Sequence, residues 1–414
     1  MHGFRKLIRL DEAINRFVGI LEPIKETEKI HIRESLDRVL ARDVVAEADI
    51  PPFDRAAMDG YAARAEDIYD ADPENPKVLR VIGISEIGKP FEGKVSVGEA
   101  VYVHTGSKIP IGADVVVPIE YVDVVDDEIF VRKSFAPGDN ISRRGEDISK
   151  GTKVLRAGRL IAPEDIAIMK ALGMRYVEVL RRPRIAVMAC GSELVDDPEE
   201  LGPGKILEYS REIVIGYSKK LGAEVIDFGI SPDSEQEILK KIQLAQTQID
   251  MLITVGGTSV GKHDLIPHII RKYGELIFHG VAIEPGKPIC AGKIGRLPIL
   301  GLPGLPVATF IAVRTILLRA IERISSIRGR FRHSTIRAVL GRRIWSKPGI
   351  RTYVRVKLIR KNSMTVAEPI MIAGSGVLSS VVMSDGIVEV PEGSEGIEEG
   401  KEVEVILIRD VSTV

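Results

Sequence analysis

The 414-residue sequence predicts a multidomain chain of α/β plus β class: a three-layer α/β unit on a parallel sheet, with β-rich segments before and after it. Three observations predict this. From about 184 to 325, apolar strand-like runs alternate with helical runs, which calls for a parallel sheet covered on both faces. From 78 to 133 the pattern is a series of short β-like runs separated by Gly, Pro and Asp. Beyond Arg330 the alternating pattern of strands returns, over 353–360 and 403–408.

Taken in order, residues 9–42 read as helical, with Asp11 and Glu12 where the helix dipole favours acids. Pro51 and Pro52 force extended backbone and end that segment. Short strands follow at 78–84, 100–104, 115–120, 122–125 and 129–133, as a small β domain. A hairpin is expected over 151–160, and a short helix over 163–172 with Pro163 in its first turn. Arg181-Arg182-Pro183 marks a boundary. After it come strands at 185–189, 224–228, 251–255, 276–278 and 299–300, and helices at 210–221, 234–246, 265–273 and 307–325.

Composition excludes several classes. Hydrophobic residues make up 44%, enough for several cores and too many for a disordered chain. Lys and Arg number 58 against 59 Asp and Glu, so the chain lacks the basic excess of a protein that neutralises nucleic-acid phosphates. Two cysteines, Cys190 and Cys290, make no disulfide framework and point to a reducing compartment, the cytoplasm. No run reaches the length of a membrane span, and the charged first ten residues do not resemble a signal peptide. Only four Asn and four Gln accompany 28% charged residues, a pattern that suits a thermophile.

The unusual loops of the α/β segment fall just after predicted strands. Gly191-Ser192-Glu193 follows the first, Ser231-Pro232-Asp233 the second, Gly256-Gly257-Thr258-Ser259 the third with Asp264 beyond it, and Gly301 to Pro306 the last. Ligands of open α/β sheets bind at that carboxyl edge. Glycines there let backbone N–H groups close on an anion. Glu193, Asp233 and Asp264 are expected to converge, and three carboxylates repel one another unless a cation or a proton sits among them; their oxygen-only donor set favours Mg²⁺. Each piece also has a plainer reading: Gly256-Gly257 as a tight turn, Asp233 and Asp264 as helix caps, and the 301–306 loop as an ordinary connection.

A rival motif, Gly256-x4-Gly261-Lys262, nearly makes a P-loop, but His263 stands where Ser or Thr should hold Mg²⁺. His263 and His268 lie five apart and so on different helix faces, which argues against a metal pair. Outside this segment, residues 52–62 read as either a turn-rich linker or a functional loop. Thr105, Ser107 and Lys108 read as either an oxyanion contact or a turn between strands.

In order along the chain, the motifs 52–62 (PFDRAAMDGYA), 105–120 (TGSKIPIGADVVVPIE), 138–151 (GDNISRRGEDISKG), 191–194, 256–264 (GGTSVGKHD), 285–288 (PGKP), 301–306 (GLPGLP) and 374–391 resemble one family. It is the MoeA-type molybdopterin molybdenumtransferase family, which includes the E domain of gephyrin. The sequence departs from the family's usual pattern at Arg211, Glu284 and Leu305.

The resemblance implies four domains: a discontinuous, elongated N-terminal domain (1–49 and 139–180), an inserted β domain (50–138), an α/β molybdopterin-binding domain (181–328) and a C-terminal β-barrel (329–414). It implies an elongated homodimer whose cleft lies between the α/β domain of one subunit and the β domain of the other. The implied reaction is insertion of molybdate or tungstate into adenylylated molybdopterin, supplied by a partner adenylyltransferase, with Mg²⁺-dependent release of AMP. On this reading Gly256, Gly257, Thr258, Ser259, Gly286 and Lys287 hold pterin and phosphate groups, and Pro303 and Pro306 shape the neighbouring loop. Glu193, Asp233 and Asp264 act on metal and phosphate, while Asp59 and Thr105 act across the dimer. The alternative within the same fold is a scaffold protein without turnover; a P-loop NTPase is the third reading.

Overall fold

The computed structural model describes residues 7–259, 265–327, 333–362, 364–370 and 374–409. The chain divides into two compact units. The smaller holds Lys29–Leu36 and Leu40–Glu178; the larger holds the described residues up to Glu28, Asp37–Val39, and those from Val179 onward.

The smaller unit is built on a six-stranded sheet in the order Val115–Pro118, Gly60–Ala63, Glu99–Val103, Lys77–Ser85, Glu128–Val131, Val122–Val125. Five of these are the short β-like runs of the sequence. The sixth, Gly60–Ala63, lies in the segment that also allowed a linker, and it is a buried strand antiparallel to both neighbours. Gly60 permits it, because a Cβ there would sit 2.1 Å from the carbonyl oxygen of Val117. The expected 151–160 hairpin is instead one strand, Lys153–Leu155, paired antiparallel with Val44–Val45. The helix Pro163–Ala171 forms as read.

The 9–42 helical reading is corrected. The helix spans only Leu10–Gly19, and Thr27–His31 is a strand followed by a single 3-10 turn, Ile32–Glu34. Pro23 lies just past the helix, and the β-branched residues Thr27 and Ile30 favour extended backbone. Leu10, Ala13 and Phe17 of this helix are buried in the core of the larger unit.

That unit opens with a six-stranded sheet ordered Glu224–Ser231, Arg184–Cys190, Met251–Val255, Leu297–Leu302, Cys290–Ile294, Glu275–His279. The first four strands are parallel; Cys290–Ile294 runs antiparallel to both of its neighbours, so Glu275–His279 runs in the direction of the first four. Alternation along the first strand in the chain sorts its side chains into two cores. Ile185 and Val187 pack with Val214 and the helical run Pro306–Ala312 to Leu318–Ile324, which is joined by a π-helical turn at Val313–Leu317. Ala186 and Met188 pack with Ile238, Ile242, Ile266 and Ile270 of the two helices on the other face. These are the three layers the sequence predicts.

The remaining chain closes a barrel. Its strands run Arg351–Lys361, Met364–Pro369, Thr335–Leu340, Glu402–Leu407 and Gly386–Val390, and the last pairs back onto the first. Ile283–Glu284, from the α/β part, adds in parallel to Arg351 and Thr352. Backbone hydrogen bonding therefore stitches barrel and sheet together beside the 285–288 motif. Among the described residues, no helix is long and apolar enough to cross a membrane.

Candidate functional site

The sheet order places Arg184–Cys190 between the two strands that follow it, so the direction in which strands are added reverses between it and its parallel neighbour Met251–Val255. Such a switch point opens a crevice at the carboxyl ends. Gly256 stands at that point with φ +88°, and a Cβ on it would lie 2.5 Å from the carbonyl oxygen of Cys190. Its N–H donates to the Leu302 carbonyl at 2.9 Å. Thr258 is buried, with its hydroxyl 3.3 Å from the same carbonyl and its own carbonyl 2.8 Å from Nε2 of His279. Ser259 is exposed at the end of this described stretch.

Asp233 and the Gly191 loop are laced together: the Ser192 N–H donates to Oδ2 of Asp233 at 3.1 Å, and the Asp233 N–H donates to the Ser192 hydroxyl at 3.0 Å. The Glu193 carboxylate folds back over Gly191, within 3 Å of where a Cβ would stand, and the residue is exposed. Thus Glu193 and Asp233 occupy adjoining loops of one edge. Asp264 lies outside the described residues, as do Lys262 and His263 of the rival motif. Among the described residues, no three His, Cys, Asp or Glu side chains form a metal cage. The Cys190 thiol beneath is pushed up to about 12 by burial, reinforced by the nearby Asp233 charge, so it stays protonated and serves packing.

The 301–306 loop leads from this edge into a cleft. Gly304 lies against Gly256, and the Ser210 hydroxyl holds its carbonyl at 2.8 Å. Pro303 is fixed by the Thr309 hydroxyl, 2.6 Å from its carbonyl, and Pro306 opens the helix. Pro303 and Leu305 then line a cleft of about 660 Å³ together with Gly286 and Lys287. The barrel supplies the opposite wall, where Arg343, Trp345 and Arg355 stand; the sequence reading named none of them. Arg355 is almost fully buried, donates to the Ser380 hydroxyl at 3.2 Å, and has its pKa lowered by burial. One signal was available. Arg351, Tyr353 and Arg355 recur at period two, which sets cations on a single face of a strand.

The three departures from the family pattern find physical roles. Glu284 pairs with Lys287 at 3.3 Å, so the acid beside the 285–288 motif is neutralised locally. Leu305 adds half-exposed apolar surface to the cleft. Arg211 is buried and reaches Asp196 at 2.7 Å, Asp227 at 3.3 Å and Glu208 at 3.7 Å. It thereby pins the first turn of the helix that carries Ser210.

In the smaller unit, Asp59 and Thr105 meet although 46 residues apart. The Thr105 N–H donates to Oδ1 of Asp59 at 2.6 Å and its hydroxyl to the same oxygen at 3.0 Å. These bonds, the backbone one first, hold the Asp59 carboxyl below the ordinary carboxylate range while it stays open to solvent. Nearby, Ser107 is buried, with its hydroxyl unpartnered.

A glycine-lined switch point beside a mixed cationic and apolar cleft defines an α/β protein built to hold a small molecule. Comparison gives the family. Models of the MoeA N-terminal region (domains I and II), a probable molybdopterin-binding domain and the MoeA C-terminal region (domain IV) match residues 8–173, 186–323 and 337–408. A molybdopterin biosynthesis protein of Methanocaldococcus jannaschii is 35% identical over 94% of both chains. The molybdopterin molybdenumtransferase of Bacillus subtilis is 31% identical over 98% of this chain and 95% of its own. A crystal structure of the MoeA protein from Pyrococcus horikoshii superposes with a TM-score of 0.80 at 36% identity, covering 97% of this chain and all of the other. The chain belongs to the MoeA family of molybdopterin molybdenumtransferases, enzymes of molybdenum cofactor biosynthesis.

Proposed function

We propose that this enzyme inserts molybdate or tungstate into adenylylated molybdopterin and releases AMP. The observation that carries the reading is the continuity of the glycine edge at Gly256 with the cleft, through Gly304, Pro303 and Leu305. One end offers a glycine turn, Gly256–Gly257, that a phosphate can approach closely; the other offers Lys287 and the buried Arg355 beside apolar walls. A long ligand with phosphates in its middle and an oxyanion to accept matches both ends. Gly257, Thr258, Ser259 and Gly286 would surround its phosphates, and Pro306 keeps the intervening loop in shape.

The oxygen donors of Glu193 and Asp233 fit Mg²⁺, and with Asp264 they are the residues that would hold it. When bound, the ion neutralises charge on the pyrophosphate. The protein's own part is to fix the anhydride against the Gly256 turn and to keep Lys287 and Arg355 turned toward the oxyanion. Asp59, kept ionised by Thr105, acts in our reading on the cleft of a second copy, so the working form is a homodimer. A separate adenylyltransferase supplies the substrate, and the four-domain division follows the family. We place the enzyme in the cytoplasm.

The test is AMP release from adenylylated molybdopterin with molybdate and Mg²⁺. The parent is expected to release AMP, and each of Asp59→Ala and Lys287→Ala to lose activity. Mixing the two inactive proteins under subunit exchange should restore part of it, since one cleft per mixed dimer is then intact. Failure of the parent to release AMP overturns the reaction; failure of the mixture alone overturns the shared site.

A further inference from the structure

We infer that Trp345 is a stacking platform for the planar, nitrogen-rich ring of the ligand in this cleft, adenine or pterin, with Arg343 as the fixed backing of the stack. The inference rests on the reading of the cleft given above and adds the ring subsite to it.

Trp345 is the sole tryptophan of the chain, and it stands 69% exposed on the cleft wall. A large indole left so open by a well-packed protein needs a reason, since tryptophan is ordinarily largely buried. The backbone holds it there firmly. Ile344–Trp345 pairs antiparallel with Gly396–Ile397, and Ile344 and Ile397 pack into the barrel core. Gly396 can accept no side chain, because a Cβ would fall 2.0 Å from the carbonyl oxygen of Ile344. With Ile344 pointing into the core, period-two alternation sets Arg343 and Trp345 together on the opposite face.

There the guanidinium carbon of Arg343 lies 3.4 Å from the centroid of the indole, a van der Waals stack on one ring face. Glu398 holds that guanidinium at 3.1 Å. One face of the indole is thus backed by a clamped cation, and the exposure belongs to the rest of the ring. Pro285, Pro303 and Leu305 line the same cleft with apolar groups, and Lys287 and Arg355 line it with cations. Aromatic rings of nucleotides and pterins stack on tryptophan without needing particular hydrogen bonds. A cleft of about 660 Å³ takes such a bicycle together with its phosphate.

The experiment uses the whole protein with three probes: AMP, free pterin and inorganic pyrophosphate. Calorimetry on the parent is expected to show binding of pyrophosphate and of AMP or pterin. Because Trp345 is the sole tryptophan, AMP seated on it changes the tryptophan fluorescence directly. Trp345→Ala should weaken the ring-bearing probe about 10-fold or more and leave pyrophosphate unchanged, whereas Trp345→Phe keeps ring binding within about 3-fold. Whichever ring responds is the occupant. Equal affinity of parent and Trp345→Ala for both ring probes overturns the platform while leaving the cleft reading intact. Absence of binding of all three probes to the parent overturns both.

Discussion

Asp59 in the smaller unit and Gly256 in the larger each sit at the centre of a tight loop, yet different forces hold the two loops. The Asp59 loop is ordered by hydrogen bonds to an exposed carboxylate, with the Thr105 N–H and hydroxyl converging on one oxygen. The Gly256 loop is ordered by close approach of backbone to backbone, Gly256 against Cys190 on one side and Gly304 on the other. An interaction made at the surface can be removed without unfolding the protein. A contact that exists only because a side chain is missing cannot be altered without displacing two strands. The first region should respond to mutation in its chemistry, the second in its stability.

The largest effect is expected from Gly256→Ala, which combines a left-handed backbone with a Cβ 2.5 Å from the Cys190 carbonyl oxygen. It should cost about 2–5 kcal/mol of stability, read as a fall in the urea midpoint. A parent-like midpoint would show that the crevice is softer than its packing implies. Asp59→Ala should do the reverse: AMP release falls about 100-fold while the urea midpoint holds. A drop in the midpoint, with activity per folded molecule retained, would move Asp59 into the structural class.

A smaller change is expected from Thr105→Val. It removes the hydroxyl bond but keeps the stronger backbone one, so the Asp59 carboxyl rises part of the way back toward its ordinary value. Since the ionised form is the one stabilised, the acid limb of the kcat/KM profile should move to higher pH. An unmoved limb would mean that Asp59 does not act as a carboxylate in turnover. The smallest effect belongs to Glu284→Gln, which frees Lys287 from a partly exposed ion pair. Molybdate should then bind a few-fold tighter, in keeping with the modest worth of such pairs; unchanged binding would take Lys287 out of the oxyanion subsite.

Much of this was legible in the sequence because it is local. The alternation of strand and helix after Arg182 gave the three layers, and the clustering of loops at one sheet edge pointed to Gly191, Asp233 and Gly256. What was hidden depended on distant partners. Gly60–Ala63 is short and lies among Pro, Asp and Gly, so nothing local marks it as a strand until Val101 and Val117 are seen on either side. Cys290–Ile294 has Gly292 and Lys293 in it, and its place comes from hydrogen bonding to the two neighbouring strands. Arg343, Trp345 and Arg355 belong to a barrel whose approach to the 285–288 motif is set by the Ile283–Arg351 pairing. No spacing rule within the barrel segment reports that contact.

The closed barrel has one more implication. A sheet that joins its last strand to its first, here Gly386–Val390 to Arg351–Lys361, leaves those strands little freedom to splay or to recruit foreign chains. The curvature of the surface bearing Arg355 is therefore settled during folding and not upon arrival of a guest. Little entropy remains to be lost there when the guest arrives, so affinity on that side should vary weakly with temperature-driven loosening, while the loops opposite carry whatever adjustment occurs.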